Sequence, residues 1–196
     1  SELLNYEMTN PLFLTLFCKT YNGEELNLFQ MFERFITLID EEIQKALGIP
    51  DSGKILKKLL LEIAECQLSN SNNYLIEEDL FQMNFWSYYG IQSKPYFLSF
   101  LLKSGLMIGN VRQDKEVYSF GYNLLEDYLK AQKIMEFSFK KEELESYLEK
   151  ELLKIENGEI QNNNNIDTFL FVSCFYFKKY DEDCIKLIEK ISNEYD

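Results

Sequence analysis

The sequence predicts a mainly α-helical chain: a helical domain, then a winged helix with a small β-hairpin, then a C-terminal helical extension. Only three Pro and eight Gly occur in 196 residues, so long helices with few breaks are expected. Hydrophobic residues make up 46% of the chain and aromatic residues 15%, which is enough for a sizeable core. The expected domains are residues 1–50, 51–139 and 140–196.

The predicted helical domain contains two helices. Asn10-Pro11 is typical of a helix start, because an amide can cap the first turn and proline loses no hydrogen bond there. This helix is expected to continue through an apolar run to Tyr21. Apolar residues at three- and four-residue steps predict a second helix over Leu28–Leu47, which Gly48 ends.

The central segment has the element order of a winged helix, in which a helix, a short strand and further helices precede a β-hairpin. In chain order, the predicted elements are a helix over Lys54–Leu68, a strand at Tyr74–Ile76, helices over Glu77–Tyr89 and Ser93–Ser104, strands at Leu106–Val111 and Glu116–Phe120, and a helix over Tyr122–Phe137. The polar residues Arg112–Lys115 form the predicted hairpin tip.

The C-terminal extension is predicted to contain an acidic amphipathic helix, an Asn-rich linker at Gln161–Asn165 and a helical hairpin. One helical pair cannot bury both of its faces, and stacked helical arrays need about three repeats. We therefore expect the hairpin to begin a longer array and the chain to be part of a longer polypeptide.

Composition argues against several classes of function. The chain has 20 basic and 33 acidic residues, a net charge of −13, which opposes the phosphate neutralisation needed for nucleic-acid binding. It has no histidine, and so lacks the commonest general base and zinc ligand. We expect no catalytic residues, no metal ligands and no nucleic-acid partner.

A cytoplasmic location without membrane contact is also expected. The first residues lack the pattern of a signal peptide. The most apolar stretch, Thr168–Phe177, has about half the length that a membrane-spanning helix needs. Each of the four cysteines lies among apolar residues at helical spacing, which predicts buried free thiols in a reducing compartment, with a disulfide or a reactive thiol as the alternative.

Two polar patterns resemble chemical sites but have simpler explanations. Gly48–Lys54 fits GxxxxGK, yet a phosphate-binding loop needs a preceding strand and a Ser or Thr after the lysine, where this chain has a helix and Ile55. Acidic clusters such as Asp40–Glu42 do not converge on one ion, because consecutive side chains on a helix diverge. Solvated helix faces or helix caps are the expected roles of these carboxylates.

Two apolar segments of the predicted winged helix were candidates for binding surfaces. The aromatic run Phe85–Tyr89 could stack on a peptide or a base, but a role in the core is favoured. Phe97–Leu102, at the position of a recognition helix, lacks the Arg, Lys, Asn and Gln that contact base edges. This helix is therefore expected to pack against protein.

Two segments resemble NACHT-type STAND ATPases. Met8–Cys18 reads MTNPLFLTLFC, which is similar to the NPLxLxLLC segment that opens the helical domain of this family. Tyr118–Ala131 reads YSFGYNLLEDYLKA, which is similar to the YxFxHxxxxEYLAA end of its winged helix. The likeness covers about residues 8–135 and includes both segments in the expected order.

The resemblance implies a regulatory role in a nucleotide switch. In this family, the helical and winged-helix domains clamp ATP or ADP, with Mg²⁺, on a P-loop core, which would precede residue 1. The family's adenine-contacting proline corresponds to Pro11. Its phosphate-binding histidine corresponds to Tyr122, a departure that implies a weaker ADP lock, since a neutral donor contributes about half as much as a charged one.

Two functional hypotheses follow from the sequence. In the first, the chain is the regulatory, nucleotide-sensing part of a prokaryotic STAND ATPase in signalling or anti-phage defence. Its partners would be the P-loop core, a protein trigger and oligomer partners, and the full-length parent would be the ATPase. In the second, the chain is an independent helical and winged-helix adaptor that binds protein without nucleotide. DNA binding through the winged helix is a third and weaker option.

Overall fold

The computed structural model describes residues 14, 17, 18, 20, 21, 23, 27–48, 54–70, 72–138, 140–156 and 164–180. These residues form a mainly helical structure with one small antiparallel sheet, which confirms the predicted helical class. In chain order, the elements are α1 (Leu28–Leu47), α2 (Ile55–Asn70), β1 (Leu75–Ile76), α3 (Glu77–Gln82), α4 (Asn84–Tyr88), α5 (Lys94–Ser104), β2 (Met107–Arg112), β3 (Lys115–Phe120), α6 (Asn123–Phe137), α7 (Lys141–Glu156) and α8 (Asn164–Tyr180).

The chain divides into two compact units, Ser1–Leu125 and Glu126–Asp196, so that the division falls within α6. The predicted domains at 1–50, 51–139 and 140–196 stay a prediction. The helix start at Asn10-Pro11 and the last predicted helix lie outside the described residues. No described helix is both long and apolar enough to cross a membrane.

Helix α1 forms as the sequence predicts. A capping box begins it, in which the Asn27 side chain accepts from Gln30 N–H and the Gln30 side chain accepts from Asn27 N–H. Gly48 ends it with a φ of 63°, which favours glycine over residues with a Cβ atom. One face of the helix is buried, and its buried apolar residues are Met31, Phe32, Phe35, Ile36, Ile39 and Ile43.

The single helix predicted over Glu77–Tyr89 is wrong, because it is interrupted at Met83, whose φ of −55° and ψ of 140° are not helical. The indole N–H of Trp86 donates to the Leu80 carbonyl at 2.6 Å. In a continuous helix, that carbonyl would accept from the backbone N–H four residues later. Trp86 therefore satisfies a carbonyl at the break while its ring stays in the core.

The sheet has the strand order β1-β3-β2, and both pairings are antiparallel. Leu75 pairs with Tyr118 and Met107 pairs with Phe120. The hairpin turn contains two residues, Gln113 and Asp114, rather than the four predicted for the tip. Both have positive φ values, 51° and 61°, as in the tight turns whose twist matches that of the flanking strands.

In the second unit, the described helices pack through apolar faces. The buried apolar side chains of α7 and α8 are Leu144, Leu148, Phe171, Val172 and Tyr176. The predicted linker Gln161–Asn165 is too long, because α8 already begins at Asn164. Asp167 lies in the first turn of this helix, where a negative charge is favoured by the helix dipole.

Candidate functional site

Tyr122, the predicted nucleotide-binding residue, lies between β3 and α6 and is 8% exposed. Its ring makes an edge-on contact with Phe35 of α1, with the ring centroids 5.9 Å apart. Burial raises the pKa of its hydroxyl, so this group is neutral at ordinary pH. Pro11 lies outside the described residues, and the predicted pairing of Pro11 with Tyr122 stays a prediction.

Two glycines fix the backbone beside Tyr122. Gly105 ends α5 with a φ of 78°, and the N–H of Gly121 donates to the Leu106 carbonyl at 2.8 Å. A Cβ atom on Gly121 would lie 2.0 Å from the Gly105 carbonyl oxygen, and one on Gly105 would lie 3.7 Å from the Tyr122 hydroxyl. Only glycine at position 121 allows its backbone to come this close to Gly105. This close approach fixes the position of the neighbouring Tyr122 backbone.

Apolar side chains are exposed along α5 and β2. Phe97, Leu98 and Leu101 of α5 are buried, as expected for a helix that packs against protein. Tyr96, Leu102 and Val111, by contrast, are 47%, 38% and 66% exposed. We call these three residues the docking face.

The docking face joins a helix to a strand. A Cβ atom on Gly109 of β2 would lie 3.8 Å from Leu102 Cδ2, so the exposed side of α5 adjoins β2. Val111 is two residues further along β2, on the same side of the strand as Gly109. Leu102 and Val111 therefore lie on adjoining elements, and exposed apolar side chains in such an arrangement are typical of surfaces that bind another molecule.

The charge along α5 differs from that of the whole chain, although the exposed Glu116 pairs with Val111 across the hairpin. Helix α5 has two basic residues, Lys94 and Lys103, and no acidic residue, whereas the chain carries a net charge of −13. Lys94 Nζ donates to the Phe81 carbonyl at 2.6 Å, and Lys103 is exposed. The Arg112 guanidinium lies over the Tyr74 ring, 4.7 Å from its centroid.

The aromatic run Phe85–Tyr89 divides between core and surface. Phe85 and Trp86 are buried, as predicted. Tyr88 is 80% exposed and contacts the ring of Tyr89, so the core prediction is wrong for this residue. It is wrong because the break at Met83 changes which faces of the two short helices point outward.

Of the two roles predicted for the acidic clusters, solvated face or helix cap, Asp40 has the second, and the prediction for the cysteines needs correction. Asp40 is not solvated: it is 4% exposed, and its Oδ1 accepts from the Leu56 N–H at 2.8 Å, which caps the start of α2. The prediction of buried cysteines is wrong for Cys18 and Cys174, which are exposed, and Cys66 is only partly buried. Cys184 lies outside the described residues. Among the described residues, no group of three or more acidic or cysteine side chains could hold a metal ion.

A buried group of charges in the second unit was missed at the sequence level. Glu126, Asp127 and Lys130 of α6 are 7%, 4% and 9% exposed. Lys130 Nζ donates to Glu126 Oε1 at 2.5 Å, and Thr168 Oγ1 donates to Asp127 Oδ1 at 2.5 Å. The sequence contains one indication of their burial, which is that these charged residues lie among mostly apolar neighbours in a predicted helix.

Comparison with known proteins adds no assignment: no protein-family model matches this sequence, and no curated protein matches it. The resemblance to NACHT-type ATPases therefore depends on Met8–Cys18 and Tyr118–Ala131 alone.

Proposed function

We propose that this chain is the regulatory, nucleotide-sensing part of a prokaryotic NACHT-type STAND ATPase, a cytoplasmic switch of signalling or anti-phage defence. The supporting observation is the order of the elements along the chain, together with the pairing of β1 to β3. That order is α2, β1, α3, α4, α5 and then the β2–β3 hairpin. We interpret this order as that of a winged helix, the fold that the family places after its helical domain. Tyr122 follows the hairpin, and the resemblance aligns it with the family's phosphate-binding histidine.

In this proposal, Tyr122 contributes a neutral hydroxyl to ADP binding. Its buried ring and the close approach of Gly121 to Gly105 hold the side chain in a fixed place, which lowers the entropic cost of binding. A hydrogen bond between neutral groups contributes about 0.5–1.5 kcal/mol. A complete shift of a two-state switch takes about 5.5 kcal/mol, so Pro11 and residues of the P-loop core must supply most of the lock.

The docking face is the proposed contact with the P-loop core of the same polypeptide. Tyr96, Leu102 and Val111 are apolar and exposed, and α5 carries lysines without acidic residues. A core surface with apolar residues at its centre and acidic residues at its rim would complement them. Nucleic acid is a poor partner for this surface, because the buried residues of α5 leave few side chains to contact base edges.

The test of this proposal uses the full-length polypeptide and its reading frame. We expect a GxxxxGK[ST] motif upstream of Ser1 and ADP bound to the purified protein. Tyr122→Phe should accelerate ADP release by roughly 2- to 12-fold, the equivalent of one neutral hydrogen bond, and Pro11→Ala should also accelerate it. Tyr88→Phe, at an exposed tyrosine, serves as the control. Wild-type release rates in both Pro11→Ala and Tyr122→Phe would refute the assigned residues.

The exposed docking face also favours a second candidate, an adaptor that binds an acidic, partly apolar protein surface without nucleotide. The reading frame distinguishes the two candidates, because the adaptor needs no upstream P-loop. For either candidate, Leu102→Glu should weaken the protein contact by placing a negative charge in the docking face. Leu170→Glu is the matched control, since Leu170 is similarly exposed, at 44%, in the other unit.

A further inference from the structure

Asp127 is a buried carboxyl group with few hydrogen-bond partners. Its side chain on α6 is 4% exposed, and Thr168 on α8 is 6% exposed. The Thr168 hydroxyl donates to Asp127 Oδ1 at 2.5 Å. An ionised carboxylate can accept about four hydrogen bonds, and this hydroxyl is the one donor that the described residues bring to it. The ionised form is therefore poorly compensated for its loss of water.

The charged groups around Asp127 do not supply this compensation. The cation that faces it, Lys130, is 2.5 Å from Glu126 Oε1 and is largely neutralised there. Asp167 of α8 adds a second negative charge. Tyr147 of α7 also faces Asp127, and because its own pKa is raised by burial it remains uncharged.

These surroundings favour a proton on Asp127. Burial is the main cause that raises the pKa of Asp127 from 3.8 to about 7. The Thr168 hydrogen bond and Lys130 oppose this increase, whereas Glu126 and Asp167 add to it. The carboxyl group therefore changes its charge near neutral pH.

We propose that the buried Asp127 carboxyl, with its Thr168 hydrogen bond, is a proton-dependent clasp between α6 and α8: ionisation destabilises the packed helices because this one hydrogen bond, although it strengthens, does not replace the water that the carboxylate loses. The clasp lies beside an aromatic contact between the same helices, where Tyr128 approaches Phe171 and Phe175 with ring centroids 5.9 and 5.8 Å apart. The proposal needs no nucleotide and is independent of the proposed function.

The direction of the pH dependence follows from proton linkage. Asp127 has a higher pKa in the folded state than in the unfolded chain, so the folded state binds more protons between the two values. The stability that the clasp contributes is complete below the unfolded value and is lost as pH rises through about 7. Between pH 5.5 and 8.5, the unfolding equilibrium constant should increase about 30-fold from this group.

The first test is a titration of the wild-type 196-residue chain, followed through the ¹³C resonance of the Asp127 side-chain carboxyl by NMR. We expect a midpoint near pH 7. Thr168→Val should raise this midpoint further, because the hydroxyl stabilises the ionised form. A wild-type midpoint below about 5, close to that of an unperturbed aspartate, would overturn the proposal.

The second test measures urea-induced unfolding at pH 5.5 and 8.5. Asp127→Asn keeps the shape of the side chain but does not titrate. It should remove most of the roughly 30-fold increase in the unfolding equilibrium constant between the two pH values. Glu143→Gln, at an exposed carboxylate of α7, is the matched control and should retain this increase. An equal pH dependence in wild type and Asp127→Asn would contradict the clasp. If Asp127→Asn does not fold, the wild-type titration decides the question alone.

Discussion

The two units of this protein bury different kinds of side chain. In the described part of the first unit, the core is mostly apolar, and its buried polar residues are Thr20, Asp40 and Gln67. Asp40 accepts from the backbone N–H of Leu56. The described part of the second unit buries several polar and charged groups, namely Glu126, Asp127, Lys130, Glu151 and Thr168. We therefore predict that the stability of the first unit depends on packing geometry, whereas that of the second also depends on protonation.

The largest loss of stability is expected in the first unit, where the backbones of Gly121 and Gly105 approach each other closely. Gly121→Ala would place a Cβ atom 2.0 Å from the Gly105 carbonyl oxygen, so the backbone must move. We expect the free energy of unfolding to fall by about 3 kcal/mol or more, with no dependence on pH.

Gly48→Ala is the control for this substitution. Its added Cβ meets open space, and the positive φ alone is unfavourable, so we expect a loss of about 1 kcal/mol. Urea denaturation of both variants measures the difference, and equal losses would show that the close approach at Gly121 does not matter.

A similar effect, but one that depends on pH, is expected in the second unit. Lys130→Met leaves Glu126 buried without its cation, which should lower the free energy of unfolding by about 3 kcal/mol at pH 8. Burial already raises the pKa of Glu126, and Lys130 opposes this increase. The loss should therefore shrink at low pH, where Glu126 accepts a proton.

Two further variants sharpen this prediction. Adding Glu126→Gln to Lys130→Met should restore most of the stability at pH 8. Glu136→Gln breaks the pair with Lys133 at its exposed side, since the Glu136 side chain is 55% exposed, and should change the free energy of unfolding by less than about 1 kcal/mol. A loss with Lys130→Met that is the same at pH 5 and pH 8 would contradict the account.

A smaller effect is expected at the buried carboxylate of the first unit. Asp40→Ala removes the acceptor of the Leu56 N–H, and a buried donor without a partner costs about 1–3 kcal/mol. Glu41→Ala, at an exposed neighbour on the same helix, should change the free energy of unfolding by less than about 0.5 kcal/mol. Thermal or urea denaturation measures both, and equal effects would show that Asp40 does not act as a cap.

Much of the fold could be predicted because its signals are local. The apolar spacing over Leu28–Leu47 defined α1, and the glycines at its end and at the end of α5 marked both stops. Turn residues between two short apolar runs indicated the hairpin. These features depend on residues within a few positions of one another, so a single sequence is enough to predict them.

The errors came from contacts between residues that are distant in sequence or on different elements. Asp40 accepts from the N–H of Leu56, 16 residues further along the chain, and so caps a helix other than its own. The Trp86 side chain accompanies a break at Met83 that helical spacing does not reveal. The burial of Asp127 depends on α8, so its sequence neighbours alone could not predict a raised pKa.

Hydrogen exchange at pH 5.5 and 8.5, corrected for the intrinsic pH dependence of amide exchange, compares the two units most directly. We predict that amides of α8 lose about 30-fold in protection at the higher pH, while amides of α2 and α5 change by less than about 3-fold. Equal changes in all three helices, or no change in α8, would contradict the claim that protonation controls the second unit alone.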